Sequence, residues 1–449
     1  MKHENTLQKN TEITLAITAL GSEGQGIGRL NGLAIFVPYT LPGETVRALV
    51  IKARPNYAIG KLAEVLEPSP HRVTPRCAVH EKCGGCGLQH LAYAEQLIGK
   101  RQAVTDALTR IGGFAAPSVS ECVGMENPWH YRNKGAFPFG SVDGRPTLGM
   151  FAARSHRLIP ITDCPLQGRA VMRTAMQAGV WARRNKIPAY DESTGAGILR
   201  HIIARETPTG EVMATLVTNG GPEQARGLAD ALQAESLYHN KNTRQTNAIT
   251  SEEYTHLSGA ASLLFPLNGL IFAAGPASFL QVNTAQTEKL YALAIETLNP
   301  QPHERITDLY CGIGTLTLGI AQRAKEAIGI ESVPQAVADA RENAARNGIQ
   351  NVRFLTNTVE EGLPKLLQEG PPPDAILLDP PRKGAEPAAL DAIVQSGAAR
   401  IVYVSCNPAT LARDLRILCD NGYTLQSTTP VDLFPHTPHV ETVALLGRV

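Results

Sequence analysis

Ile306-Thr307-Asp308-Leu309-Tyr310-Cys311-Gly312-Ile313-Gly314-Thr315 decides how the C-terminal third of this chain folds. An apolar run stops at a turn holding two glycines, and a helical pattern follows it, which is the form of strand, glycine turn and helix. Glu331 closes the next strand, 19 residues after Gly312, where an acidic side chain accepts hydrogen bonds from ribose hydroxyls in a Rossmann-like unit. Two glycines in a turn are weak evidence alone. Strands and helices then alternate to the end of the chain, at 315–325, 327–331, 335–347, 352–356, 375–379, 387–397, 400–404, 409–420 and 440–446. That alternation predicts a doubly wound parallel sheet, whose ligand lies beyond the carboxyl ends of its strands.

Two further strand ends carry chemistry. Leu377-Leu378-Asp379-Pro380-Pro381-Arg382 is an apolar run stopped by a carboxylate and two prolines, which continue neither a sheet interior nor a helix. Ile401 to Val404 is another, followed by Ser405-Cys406-Asn407-Pro408, and it delivers Cys406 to a loop at the strand's end. A lone cysteine is more often a small buried filler. Three strand-end motifs in chain order, one of them suited to a nucleoside, move that reading towards a reactive thiol. Asn283 reads as the cap of a helix over 284–299.

Outward from this domain the character changes. Residues 75–275 are expected to form a central α+β domain with helices at 93–111, 169–186 and 224–234 and strands at 129–135, 149–151, 199–205 and 212–217. Basic and aromatic side chains interleave in it, as they do where bases stack and phosphates are held. Cys77, Cys83 and Cys86 set three thiols on one glycine-rich turn, which lets the backbone wrap closely around an ion or cluster. A fourth ligand must come from elsewhere, with Cys164 and Cys122 as candidates, and four thiolates suit zinc as well as an iron–sulfur cluster. From residue 11 to 68 short alternating strands are broken by glycine without a helix, which indicates a small β-barrel. The glycine-rich loop at 21–29 is no nucleotide cradle, because no helical pattern follows it.

These residues resemble the S-adenosylmethionine-dependent RNA (uracil-C5)-methyltransferases of the type that carries an iron–sulfur cluster and modifies 23S ribosomal RNA. The matching motifs are Phe279-Leu280-Gln281-Val282-Asn283, Asp308 to Gly314, Asp379 to Arg382, Ser405 to Pro408, and Pro438-His439-Val440-Glu441-Thr442. The resemblance covers essentially the whole chain. It implies a multidomain protein: an N-terminal OB-like barrel of the TRAM type (1–68), a central α+β domain with the cluster (75–275), and a C-terminal Rossmann-like class I methyltransferase domain with a seven-stranded sheet (276–449). It further implies Cys406 as nucleophile on uracil C6 and Glu441 as the base that strips the C5 proton. Gln281, Tyr310, Glu331 and Asp379 would hold S-adenosylmethionine or the base, as would Thr315, where the family often has Asn, and Thr358. A [4Fe-4S] cluster would sit on Cys77, Cys83, Cys86 and Cys164. Lys52, Arg54 and Lys61 of the barrel would meet phosphates and Tyr57 would offer a stacking surface. The implied partner is RNA, with 23S ribosomal RNA preferred over the transfer-RNA T-loop and the chain acting as a monomer.

Composition agrees with a folded protein of several domains: 449 residues, 43% hydrophobic and 18% charged. Net charge is +1, so no global basic field marks a nucleic-acid binder. Residues 1–110 nevertheless hold 13 Lys and Arg against 9 Asp and Glu, whereas residues 301–449 hold 13 against 17, which suits a basic front and an acidic catalytic domain. The polar opening at 1–5 lacks the apolar core of a signal peptide, and no run reaches the roughly 20 apolar residues of a membrane span. A cytoplasmic protein without a membrane partner is expected, its eight cysteines serving as ligands, nucleophile or core instead of disulfides. Two rival readings remain. A pure RNA-binding protein would leave the cysteine and glutamate motifs without a purpose. An amino-methyltransferase would place an aromatic after the two prolines, where this chain has Arg382.

Overall fold

The computed structural model describes residues 7–449; the polar opening at 1–5 lies outside the described residues. Strands β1 (Glu12–Leu20), β2 (Gly26–Leu30), β3 (Leu33–Val37), β4 (Thr45–Ala53) and β5 (Tyr57–Glu67) close into a barrel of order β1-β2-β3-β5-β4. Period-two alternation turns Ile13, Leu15 and Ile17 inward against Val46, Ala48 and Val50. The glycines of the 21–29 stretch serve packing: a Cβ on Gly28 would stand 2.4 Å from the Ala16 carbonyl oxygen. Phe36 and Tyr57 meet edge to face on the barrel wall.

The central sheet is built from β6 (Lys134–Val142), β7 (Arg145–Phe151), β8 (Leu158–Pro160), β9 (Leu199–Glu206), β10 (Val212–Thr218), β11 (Ser236–Lys241) and β12 (Tyr254–Gly259), in the order β12-β11-β10-β9-β6-β7-β8. Ahead of it comes helix α1 (Tyr93–Arg110), and α2 (Arg169–Arg184) backs it, burying Val171, Ala175, Ala178 and Ala182 against Phe137, Ile202 and Leu216. Two local expectations fail for backbone reasons. The 129–133 stretch is irregular, with His130 at φ 54°, and only from Lys134 does the chain extend. The helix expected at 224–234 is divided into a 3-10 turn (Pro222–Ala225) and the single turn α3 (Leu228–Ala231), because Gly227 takes φ 73° between them.

The C-terminal domain comprises β13 (Leu263–Leu267), β14 (Leu270–Ala274), α4 (Thr284–Leu298), β15 (Arg305–Leu309), α5 (Thr315–Ala321), β16 (Glu326–Glu331), α6 (Pro334–Arg346), β17 (Val352–Thr356), α7 (Val359–Glu369), β18 (Ala375–Leu378), α8 (Pro387–Ser396), β19 (Arg400–Ser405), α9 (Pro408–Asp420), β20 (Tyr423–Val431) and β21 (Glu441–Arg448). Its sheet runs β17-β16-β15-β18-β19-β21-β20, parallel except for β21, which is antiparallel to both neighbours. Order reverses between β15 and β18, the switch point where such sheets open a crevice. Central strands are buried on both faces, hence the unbroken apolar runs in the sequence.

Packing draws the domain more widely than the 276–449 expected from sequence. Phe272 of the β13–β14 hairpin joins the core that holds Leu290 and Ile306, and Val104 and Leu108 of α1 join the opposite core with Leu411 and Leu415 of α9. Both segments thus pack on the C-terminal sheet, although sequence assigned them to the central domain. Hydrophobic surfaces choose partners in three dimensions, and an amphipathic helix does not say which core it covers. Among the described residues no helix is long and apolar enough to cross a membrane.

Candidate active site

Five parallel strands end on the same edge of the sheet, and beyond that edge lies a cavity of about 1120 Å³. Gln281, Tyr310, Thr315, Glu331, Thr358, Asp379, Cys406 and Glu441, each singled out from sequence, all line it. They come from seven different connections, so only the closed sheet brings them together.

One end of the cavity is shaped by the turn after β15. Tyr310, Gly312 and Gly314 take φ values of 65°, 54° and 86°, and the Gly312 N–H donates to Glu331 Oε2 at 3.1 Å. Val333 N–H donates to Glu331 Oε1 at 2.8 Å, so the carboxylate is held from two sides while still facing the cavity. A Cβ on Gly314 would stand 3.2 Å from the Phe354 ring, which explains the glycine where α5 packs onto the sheet. Thr315 opens α5 and lies beside Tyr291. Thr358 precedes the first turn of α7, where free backbone N–H groups point outward. Gln281 is anchored through its backbone: Asn133 Nδ2 donates to its carbonyl at 3.1 Å. Asn283 caps α4 as expected, its Oδ1 accepting from Gln286 N.

The other end belongs to β18, β19 and β21. Ser405 pairs with Thr442, so Cys406 and Glu441 stand next to each other where the ladder ends. Asn407 caps α9 through Oδ1, and its Nδ2 donates to the Arg382 carbonyl at 3.2 Å, which ties the Cys406 loop to the loop of the two prolines. Burial pushes the half-buried Cys406 thiol up to about 11, the carboxylates of Glu441 and Asp379 add to this, and Arg382 opposes it. Burial also lifts Asp379 to about 7, and burial with Asp379 beside it lifts Glu441 to about 8. Glu441 is 2% exposed and its Oε2 finds no hydrogen-bond partner among the described residues. A buried carboxylate with a free oxygen and a raised pKa has the form of a general base.

Four cysteines also converge, away from this cavity. Burial pushes the Cys86 thiol up to about 12, with Cys164, Cys83 and Cys77 adding to it, so all four lie within range of one another's charge. Gln89 Nε2 donates to Cys86 Sγ at 3.3 Å and Gly85 N to Cys83 Sγ at 3.4 Å. Cys122 lies apart from them, near Asp432 and Lys100. Among the described residues, however, no group of three or more His, Cys, Asp or Glu side chains is arranged to hold a metal ion.

Some residues of the site carried no role in the sequence reading. Asp308 is 1% exposed and pushed by burial to about 7 despite a hydrogen bond from Thr317 Oγ1 at 2.5 Å. Tyr291, on α4, is raised by burial and then by Asp379. Arg382, which lines the cavity, reaches His439 Nδ1 at 3.2 Å. Asp308 and Arg382 stood inside motifs already quoted, so their positions at strand ends were a usable signal. For Tyr291 there was none, since a tyrosine at a helical core position looks like any other.

Comparison with known proteins agrees with this geometry. Residues 7–63 match the TRAM domain, and residues 262–369 and 372–449 match the tRNA (Uracil-5-)-methyltransferase family. An uncharacterized RNA methyltransferase of Clostridium tetani is 40% identical over 99% of this chain and 98% of its own, and one of Listeria monocytogenes is 41% identical over 98% of each. The crystal structure of the Pyrococcus abyssi tRNA (uracil-54, C5)-methyltransferase in complex with S-adenosyl-L-homocysteine superposes with a TM-score of 0.78 at 26% identity, covering 97% of this chain and 100% of that one. With a TRAM barrel at one end and the matching catalytic sheet at the other, this chain belongs to the RNA (uracil-5)-methyltransferase family.

Proposed function

We propose that this enzyme methylates C5 of a uridine in RNA through a transient bond between Cys406 and C6 of the uracil. The observation that carries the reading is the β19–β21 register, which sets a thiol and an unpartnered buried carboxylate side by side in the cavity that also contains Glu331. Uracil C5 is a poor nucleophile, because attack from it costs the ring its conjugation. Addition of the Cys406 thiolate to C6 moves the electron pair of the 5,6 double bond onto C5 and O4 and divides one hard step into easier ones. S-adenosylmethionine, when bound, supplies the electrophilic methyl group for C5. Glu331, with the Gly312 turn, suits the ribose of such a cofactor, and Gln281, Tyr310, Thr315 and Thr358 complete its walls. Glu441 then takes the C5 proton, the C5–H electron pair re-forms the double bond, and the C6–S bond breaks to return the thiolate. Asp379 borders both ends and would accept a hydrogen bond from the pyrimidine edge or the cofactor.

A uracil stacked inside a helix cannot reach this cavity, so the target is extruded from its stack or lies in a single-stranded loop. Large-subunit ribosomal RNA is the preferred substrate, following the four-cysteine resemblance. A transfer-RNA T-loop is the second reading, favoured because the Pyrococcus abyssi neighbour is a tRNA (uracil-54) enzyme. Nucleoside digests of RNA from a deletion strain test the reaction: 5-methyluridine disappears and returns with the wild-type gene, and loss of N6-methyladenine in its place would overturn the assignment. Mapping the lost position in each RNA decides between the substrates.

Cys77, Cys83, Cys86 and Cys164 are proposed to hold a [4Fe-4S] cluster. What supports this is that the four thiols lie within range of one another's charge and that N–H groups donate to two of them, although the side chains as they stand are not arranged as a metal-holding group. Such a group would knit the 77–86 turn to the central sheet. Protein purified without oxygen should carry about four irons per chain; zinc and a colourless protein would show that the cysteines hold that ion instead.

A further inference from the structure

Glu441 owes its place to the loop at 432–440, which leaves the sheet at Val431 and returns at Glu441, its own cross-strand partner. Pro435 and Pro438 restrict the backbone of that loop, Asp432-Leu433-Phe434-Pro435-His436-Thr437-Pro438-His439-Val440, but nothing in its sequence fixes where it lies. Its backbone is nevertheless held at five successive carbonyls. The Asp432 oxygen accepts from Gln286 Nε2 at 2.9 Å and that of Leu433 from Asn283 Nδ2 at 2.9 Å. Phe434 O accepts from Lys100 Nζ at 3.0 Å, Pro435 O from the Tyr131 hydroxyl at 3.0 Å, and His436 O from Leu88 N at 3.0 Å. Those donors come from α4, α1, the central domain and the turn after the cysteines.

One contact in this set is costly to build. Lys100 of α1 is 2% exposed, and it forms an ion pair with the Asp432 carboxylate, which is fully buried and also accepts from the Tyr93 hydroxyl at 2.8 Å. Buried ion pairs add little stability over an apolar pair of the same volume, so this pair calls for another explanation. It sits at the root of the loop, one residue from the partner of Glu441, and joins groups 332 residues apart in sequence.

We propose that Lys100 and Asp432 are positioning residues for the catalytic base: their ion pair latches the 432–440 loop to α1, and the latch sets the Glu441 carboxylate against the C5 hydrogen of the methylated uracil. This rests on the reading of Glu441 as the base. The latch is expected to act on proton removal more than on addition of Cys406 or methyl transfer, since the Cys406 loop is tied to the Arg382 carbonyl and α9 and meets the 432–440 loop only through the Arg382 side chain on His439.

The two halves of the reaction can be read separately. RNA containing 5-fluorouridine takes up the thiol and the methyl group but has no C5 hydrogen to lose, so the covalent complex persists. RNA containing 5-tritiated uridine releases tritium only when the base acts. Lys100→Met and Asp432→Asn are expected to form the fluorouridine complex at the wild-type rate, to release tritium about 100-fold more slowly, and to accumulate covalent complex on ordinary RNA. Tyr93→Phe, which removes the hydroxyl's bond to Asp432 and the one it accepts from Met125 N–H but keeps the ion pair, supplies the test where the charge variants fail to fold, with a smaller loss of the same kind. Equal losses in both assays, or wild-type tritium release from a folded variant, would overturn the latch. Glu441→Gln runs alongside: tritium release at the wild-type rate there removes the base assignment itself, whereas a block there with normal release in the Lys100 and Tyr93 variants removes only the latch.

Discussion

Glu441 is buried beside Asp379, and burial together with that neighbouring carboxylate pushes its own carboxyl up to about 8. The buried pair therefore holds a proton to higher pH than a free carboxyl does, and the form able to accept a proton grows as pH rises.

Proton removal should accordingly accelerate with pH through about 8 and level off above it. Tritium release from 5-tritiated uridine RNA in single turnover, measured across this range, checks the point, and a level profile would show that another group takes the proton.

Arg382 is the group that opposes the rise of the Cys406 thiol. With Arg382→Leu the thiol moves further up, less of it is thiolate at neutral pH, and adduct formation on 5-fluorouridine RNA should fall about tenfold. Because the loss is one of ionisation, it should shrink as pH is raised; a loss independent of pH would point to RNA binding instead.

Cys406→Ala should abolish methylation while RNA still binds. Glu441→Gln should stall after methyl transfer and leave RNA covalently attached, visible as a shifted band on a denaturing gel. Free turnover by Cys406→Ala would mean that no thiol adduct is formed.

Asp308 is a carboxyl raised above its unfolded value, to about 7, so the native state binds its proton more tightly than the unfolded chain. The stabilisation this proton brings is fully present below about pH 4 and is lost as pH rises through about 7. Asp308→Asn keeps an acceptor for Thr317 without a charge, and it should raise the melting temperature at about pH 8 with little change at about pH 3. Equal shifts at both values would contradict a buried charge as the cause.

Leu108 is fully buried in the core shared by α1 and the catalytic sheet. Leu108→Ala should cost about 2–5 kcal/mol, and the loss should appear in the unfolding of the catalytic domain. If only the central domain were weakened, α1 would belong there, as its position in the sequence suggests.

Much of this was legible in the chain before any fold was known. The run from Ile306 to Thr315 with Glu331, the two prolines after Asp379 and the Ser405–Pro408 turn are local signals. Strand ends and caps are made by residues near in sequence, and the chemistry of a strand end stays visible there. Two helical expectations show the limit of that logic. Residues 224–234 have helical composition but are divided at Gly227, and α1 has helical periodicity without any mark of the core it covers.

By itself, then, the sequence determined that a doubly wound sheet would follow a small barrel, and which side chains would stand at the strand ends, because period and turn chemistry act over a few residues. Tertiary structure alone decided the β19–β21 register through which Cys406 and Glu441 meet, that Asp379 raises the base, and that Lys100 reaches Asp432 from 332 positions away. Those relationships depend on register and burial, and both exist only once distant segments have closed around a shared core.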